Sequence, residues 1–417
     1  MYSVLHITVH CGGGVGDTIF GLISQDKEFT HEIVILGYVL EKAEKKAQEL
    51  DVKMHINLTH KLILKLIPHF DIILIHVWNH PLLYDFLIRN ELPYSRVIMW
   101  GHNSGFHLPN VYPRKIFNYP DLFVFTTPLS YKLPELKDFP KEKLYDIWST
   151  AGVDDFITIK KKEHKGFNIG YIGTVDYAKM HPDFLKICSK VKNSKVKFIV
   201  VGGTHEKEIE AQAREMGLNN IEFTGRVPYD KLKEYLSIFD VFAYPLAPYH
   251  YGTCDLVLQI AMASCLPIIV FNNPMEAYMI KNGYAGIGVY SVNAFVSAIN
   301  ILINSPELCK WYGGNAKNEA IERFSLHKLA SEWNKVFNKV LQLPKKIRKW
   351  KLDITPKDVF LESLGDYGKY FEDKIKELAK DKSWQTETKG SVHNYCSYFP
   401  NDPILKKWSK IMKSELE

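Results

Sequence analysis

Two stretches of the chain hold residues whose types and spacing suit the capture of a diphosphate. They are Gly170 to Pro182, GYIGTVDYAKMHP, and the segment that begins at His250, HYGTCDLVLQIAMASCLPII. Each leads from a strand-like run through a turn containing Gly into a helix, where backbone N–H groups lack helical partners and face an anion. Lys179 adds an ammonium group just before the helix marked by Pro182. A cation there can neutralise the charge that grows on a diphosphate when a glycosyl-phosphate bond breaks, whereas the plainer reading is a solvated loop lysine. His181 beside it carries little weight alone. In the second segment Tyr251 and Gly252 open the turn, and Gly252, the Thr253 hydroxyl and the amides through Cys254 suit phosphate oxygens. Asp255 caps the following helix or accepts hydrogen bonds from sugar hydroxyls, and the two roles are compatible.

Three further motifs lie in the first half. CGGGVGDT, Cys11 to Thr18, has Asp17 where a P-loop needs Lys and where a dinucleotide fingerprint needs its third Gly. Gly13 and Gly14 therefore either make a tight strand-to-helix turn or give a substrate backbone clearance. WGHNSG, Trp100 to Gly105, places His102 at the carboxyl edge of a sheet, where open α/β sheets bind ligands. His102 either contacts a sugar hydroxyl or phosphate or is a structural histidine. HVWNH, His76 to His80, has metal-like spacing but lacks the Glu of a zinc helix. No Asp-x-Asp occurs to hold a divalent ion on a diphosphate, so no metal cofactor is expected and protein cations and helix dipoles must do that work.

The elements that must position these residues alternate along the chain. VLHITV, EIVILGYV, FDIILIHVW, SRVIMWGH and DLFVFTT read as strands separated by helical stretches, the pattern of parallel strands buried between helices. A charged stretch near Asp155 to Gly166 marks a hinge. FNIGYIG, VKFIVVGG, IEFTGRV, DVFAYPL and LPIIVF then repeat the alternation. The expected fold is α/β with two Rossmann-like doubly wound domains, residues 1–160 and 161–342. A helical, aromatic C-terminal extension, residues 343–417, packs back on the first domain. PKKIRKWKL, Pro344 to Leu352, sets five cations around Trp350, which suits either a solvated helix end or peripheral contact with an anionic membrane.

Composition sets the outer bounds. A chain of 417 residues exceeds a single hydrophobic core, and 46% hydrophobic with 24% charged residues is ordinary for a globular protein. A net charge of +6, from 53 basic against 47 acidic residues, suits anionic small molecules better than nucleic acid. There is no apolar run of about 18 residues, and MYSVLHITVH lacks the features of a secretory signal. The six cysteines are scattered without a CxxC pair, so a cytoplasmic protein is expected, peripheral at most to the inner membrane surface.

These pieces, in this order, resemble the two-domain GT-B glycosyltransferases of family 4, the retaining "group 1" transferases. The likeness is strongest from Gly170 to about Asn338, through GYIGT...K, FIVVGG, IEFTGRV, DVFAYP and AMASCLPIIV followed by Glu276. HVWNHPLLYDFL, VIMWGHNSG, the HYGTC-like loop and TKGSVHNY, Thr388 to Tyr395, resemble a bacterial subgroup. The resemblance implies two domains facing a cleft and metal-independent, retaining, hexosyltransferase-like transfer from a UDP- or GDP-sugar. The implied acceptor is a glycan or lipid-linked saccharide, as in surface polysaccharide assembly, with no nucleic acid involved. It implies that Lys179 binds phosphate, that His102 faces the donor, and that Asp255 or Glu276 orients the sugar. Gly13, Gly14, Gly173, Thr174, Arg226, Gly252, Thr253 and Cys254 complete the implied donor site. Two departures stand out: Thr174 occupies the place of a usual Arg, and the family's Glu-x7-Glu pair falls at Gly252 and Ile260. A nucleotide-sugar epimerase of the same fold and a non-catalytic nucleotide- or glycan-binding protein are the competing readings.

Overall fold

The computed structural model describes residues 1–250, 252–351, 353–385 and 389–414, so Tyr251, Leu352 and Thr388 of the segments quoted above lie outside the described residues. Two compact units are formed. Residues 1–151, 252–254 and 326–414 make the first, and residues 152–250 and 255–325 the second.

In the first unit the strands are β1 (Tyr2–Thr8), β2 (Phe29–Ile35), β3 (Lys53–His55), β4 (Ile72–Val77), β5 (Glu91–Ser95), β6 (Val97–Gly101), β7 (Leu122–Phe125) and β8 (Leu144–Asp146). Seven of them form a parallel sheet in the order β3-β2-β1-β4-β6-β7-β8. Central strands such as β4, IILIHV, are buried along their whole length, because helices cover both faces of the sheet. The order reverses direction between β1 and β4, and the carboxyl ends of those two strands open a crevice for ligands. The first turn of the helix Gly13–Gln25 that follows β1 requires glycine at Gly16, where a Cβ would stand 2.0 Å from the Cys11 carbonyl oxygen.

The second unit holds β9 (Phe167–Ile172), β10 (Val196–Val201), β11 (Ile221–Gly225), β12 (Val241–Tyr244), β13 (Ile268–Phe271) and β14 (Ile287–Val289). They pair in parallel as β11-β10-β9-β12-β13-β14, so this sheet reverses between β9 and β12. After β10, Gly202 takes a φ of 137° and packs so closely on the next loop that a Cβ would lie 1.8 Å from the Gly173 oxygen.

The helix Leu326–Leu341, which the sequence suggests as the end of the second domain, belongs to the first unit. Its apolar stripe, Leu329, Trp333, Val336, Phe337 and Val340, covers Val4, Ile72, Leu74, Ile98 and Trp100 of the first sheet. Beyond it, Val359, Phe360, Phe371, Tyr395 and Trp408 join a core with Tyr84, Phe86 and Leu87.

The basic stretch from Pro344 corrects a further expectation. It is not a helix end, because Lys346–Lys349 forms β15, antiparallel to β5. Arg348 is buried in an ion pair with Asp121, and Trp350 is buried with its Nε1 donating to Glu362 at 3.1 Å. No helix among the described residues is long and apolar enough to cross a membrane.

Candidate functional site

In the second unit the residues with chemistry gather where the strand order reverses. Lys179 lies in the loop after β9, and Tyr244 ends β12. The two loops are stitched together: Ala247 N–H donates to the Lys179 carbonyl at 2.8 Å, His181 N–H donates to the Pro245 carbonyl at 2.8 Å, and Met180 bridges Leu246. Lys179 is thereby held at the carboxyl end of the sheet. Its position corrects the expectation of a helix N-terminus, because the next helix, Phe184–Lys190, starts five residues later and Lys179 sits in a turn closed on Asp176. The His181 ring stacks on Phe271 with centroids 4.2 Å apart, which makes it a packing residue.

Asp255 stands at the N-cap position of the helix Leu256–Ala263, yet its side chain makes no capping hydrogen bond. The carboxylate instead accepts from the Tyr244 hydroxyl at 2.9 Å and lies 3.3 Å from the Lys179 ammonium. Lys179 Nζ also lies 5.5 Å from the centre of the Tyr244 ring, within cation-π range. Burial and the nearby Asp255 charge hold the Tyr244 phenol well above its ordinary pKa, so it stays a neutral donor. The lysine and aspartate side chains remain 21% and 11% exposed, which leaves the cation open to an incoming anion.

Glu276, in the helix Pro274–Met279, is buried with one carboxylate oxygen, Oε1, that finds no hydrogen-bond partner among the described residues. That oxygen lies 3.6 Å from Nδ1 of the equally buried His250. A buried carboxylate oxygen without a donor is costly and marks a place where a ligand hydroxyl would be welcome. His250, Asp255 and Glu276 offer ligand atoms all within 4.8 Å of one another, the spacing of a small cation site. Asp255 already faces an ammonium group there, so a divalent ion would compete with Lys179. Tyr244 and His250 escaped the reading of the sequence. Position alone signals them, Tyr244 as the last residue of DVFAY and of β12, and His250 as the first of HYGTC in the loop beyond it.

The remaining residues of the second unit are less converged. Gly173 N–H donates to Val201, and the carbonyl of exposed Thr174 accepts from the Tyr171 hydroxyl at 2.7 Å. Arg226 is exposed just beyond β11, an edge strand two places from β9, and makes no contact with the Lys179 cluster in the hydrogen bonds or ion pairs of the described residues.

In the first unit the helix Gly13–Gln25 begins at Gly13 with no side-chain cap, and space is open around Gly13, whose φ is 60°. Gly14 is exposed beside it. Their amides are available to an anion, while Asp17 is paired with Lys42 at 2.9 Å. Gly252, at a φ of 62°, accepts from the Ser104 N–H at 2.9 Å, and Thr253 and Cys254 follow it, Cys254 buried. His102 is buried, and both ring nitrogens have neighbours: Nε2 is 2.8 Å from His76 Nδ1 and Nδ1 is 3.3 Å from Ser149 Oγ. Burial pushes its pKa down to about 3. The two histidines of HVWNH part company, since His76 joins this contact and His80 caps the helix Pro81–Arg89 by accepting from Leu82 N–H at 3.2 Å.

Two parallel α/β sheets with helices on both faces and helices at the C-terminus define the GT-B architecture of nucleotide-sugar-dependent glycosyltransferases. Residues 153–319 match the family described as "Glycosyl transferases group 1", family 4, a retaining family. An uncharacterized glycosyltransferase of Methanocaldococcus jannaschii is 28% identical over 157 residues, 36% of this chain and 39% of that protein. The match thus spans about two fifths of the length of that relative. Among solved structures, HepE of Anabaena in complex with UDP superimposes with a TM-score of 0.65 at 12% identity, covering 81% of this chain and all of that one. A glycosyltransferase of Rickettsia africae gives 0.64 at 16% identity, over 82% of this chain and 99% of that one. TarM gives 0.63 at 14% identity, over 81% and 99%. At these identities the structural likeness is one of fold.

Proposed function

We propose that this protein transfers a sugar, with retained configuration and without a metal ion, from a nucleotide diphosphate sugar to a glycan or lipid-linked acceptor. The observation that carries the reading is the cluster at the reversal of the second sheet, where an accessible ammonium, Lys179, stands beside buried Glu276 with its unsatisfied oxygen. In this reading Lys179 meets the diphosphate, and Glu276 with His250 meets sugar hydroxyls. Asp255 and Tyr244 hold the lysine in place. In the first unit, Gly13 and Gly14, with Gly252 to Cys254, offer backbone amides to an anion, and His102 is assigned to a sugar hydroxyl. Gly173, Thr174 and Arg226 are assigned to the nucleotide side.

The bond from the anomeric carbon to the diphosphate breaks, the acceptor oxygen joins that carbon on the same face, and the acceptor proton passes to the departing diphosphate. UDP is the first donor base to test, because HepE is seen with it. Calorimetric titration with UDP- and GDP-sugars, followed by assay of released nucleoside diphosphate with and without acceptor extracts, checks the reading. Binding with no turnover under any acceptor would sink it. The close grouping of His250, Asp255 and Glu276 also suits acid-base chemistry on a sugar ring, so an epimerase is the second reading. Interconversion of sugar isomers without acceptor would select it.

A further inference from the structure

Four histidines of the first unit stand in a row across its sheet. His31 on β2, His6 on β1, His76 on β4 and His102 just past β6 occupy four neighbouring strand positions. His31 sits opposite Val4, two residues short of His6. His6 sits opposite Leu74, two short of His76, and His76 sits opposite Trp100, two short of His102. A step of two residues keeps every ring on the same face of the sheet, and the row climbs diagonally to the carboxyl edge.

The rings are joined nitrogen to nitrogen. His31 Nδ1 lies 2.9 Å from His6 Nε2, His6 Nδ1 2.9 Å from His76 Nε2, and His76 Nδ1 2.8 Å from His102 Nε2. Asp26 ends the row on one side, 3.2 Å from His31 Nε2, and Ser149 Oγ ends it on the other, 3.3 Å from His102 Nδ1. Trp100 and Phe337 lie over the row, 4.8 Å from the His102 ring and 6.4 Å from the His31 ring.

Burial, reinforced by the neighbouring imidazoles, keeps His6 and His76 far below their ordinary pKa, so each is neutral with one N–H. Burial also acts to raise the Asp26 carboxyl, but hydrogen bonds from His31 and from the Glu28 and Phe29 amides outweigh it and keep the group ionised. A carboxylate only accepts. With a single N–H, His31 turns it from Nε2 to Asp26 and leaves its Nδ1 lone pair for the Nε2–H of His6, and the same choice passes along the row; a second proton on His31 would reverse it. The five contacts need five protons, which four imidazole N–H groups and the Ser149 hydroxyl supply in a single direction.

We propose that the Asp26 carboxylate sets the direction of this row and so holds His102 as the Nε2–H tautomer, with Nδ1 available only as a hydrogen-bond acceptor. The consequence for catalysis rests on the glycosyl-transfer reading: a donor-sugar hydroxyl that replaces Ser149 donates to His102, and His102 does not act as an imidazolium. Asp26, His31, His6 and His76 are positioning residues for it. The tautomer assignment stands apart from that reading, so the two can fail separately.

Long-range 1H–15N correlation spectra of the full chain with 15N-labelled histidine read the tautomers directly, the His102 signals being identified by their loss in His102→Gln. The expected result is a pyrrole-type Nε2 and a pyridine-type Nδ1 at His102 and at its three neighbours. In Asp26→Asn the amide oxygen stays on the Glu28 and Phe29 N–H groups, so the amide NH2 donates to His31 and the row should reverse, giving a pyrrole-type Nδ1 and a pyridine-type Nε2 at His102. A wild-type His102 protonated on Nδ1 overturns the proposal even if Asp26→Asn does not fold, and an unchanged tautomer pattern in a folded Asp26→Asn removes the role of the carboxylate.

Discussion

Lys179 is the residue on which the proposed donor site turns. Its ammonium is fixed by the Asp255 carboxylate at 3.3 Å and the Tyr244 ring at 5.5 Å, and its backbone by the bond from Ala247, so the cation is in place before any anion arrives. Such preorganised charge is worth more in the transition state than in the ground state, because the diphosphate gains charge as it leaves. Lys179→Ala should therefore lower kcat by roughly 100- to 1,000-fold. The side chain is partly exposed, so the melting temperature should barely move. A variant with normal rates would remove Lys179 from the site. The same geometry bears on metals. With an ammonium already against Asp255, sugar release should be unchanged by excess EDTA and should not rise with added Mg2+ or Mn2+. A rate lost to EDTA and restored by Mn2+ would instead make His250, Asp255 and Glu276 a metal site.

At the scale of elements, the helix Leu326–Leu341 does the most for the first sheet. Trp333 is wholly buried, 4.7 Å from Trp100 between ring centroids, and its deletion leaves a cavity that neighbouring aromatic rings cannot fill. Trp333→Ala should cost about 3–5 kcal/mol by urea unfolding. A loss below about 1 kcal/mol would mean that the helix is not anchored there. This helix also marks how far a sequence can be read. Its amphipathic period is plain in LHKLASEWNKVF, but periodicity names the buried face without naming the sheet that buries it, so the sequence alone sets the helix at the end of the second domain although it covers the first sheet. The alternating strands and helices were legible for a stronger reason, since parallel strands buried on both sides must be apolar throughout. The grouping of Lys179, Asp255 and Glu276 at one end of the second sheet was legible from their places in the sequence. Tyr244 and His250 were not, because their partnership depends on how two loops fold over the end of one sheet. Arg348 and Trp350 misled for a related reason. A basic stretch looks solvated until Asp121 and Glu362, both far away in sequence, supply partners.

On the scale of the whole molecule, the two units differ in how they should answer to acid. In the first, His6, His10, His60, His76, His80 and His102 all have pKa values lowered by burial, His10 to about 4 and His80 and His102 to about 3. In the second, only His181 among the described residues carries a resolved shift of this kind. A histidine whose folded pKa lies below its unfolded value of about 6.5 binds protons more readily once unfolded. Its share of stability is complete above about pH 6.5 and is lost as the pH falls from there towards the folded value, by up to about 1.4 kcal/mol per pH unit for each such group. Asp26, whose carboxyl is held below its ordinary pKa, acts in the same sense only at lower pH, below about 4. Seven of the eight tryptophans, all but Trp311, lie in the first unit, so intrinsic fluorescence follows that unit almost alone. The urea midpoint read by tryptophan fluorescence should therefore hold steady from pH 8 to pH 7 and fall steeply between pH 6.5 and pH 5. A midpoint that stays flat across that interval would show that these histidines already take up protons in the folded protein, and with that the neutral row from His6 to His102 would lose its footing.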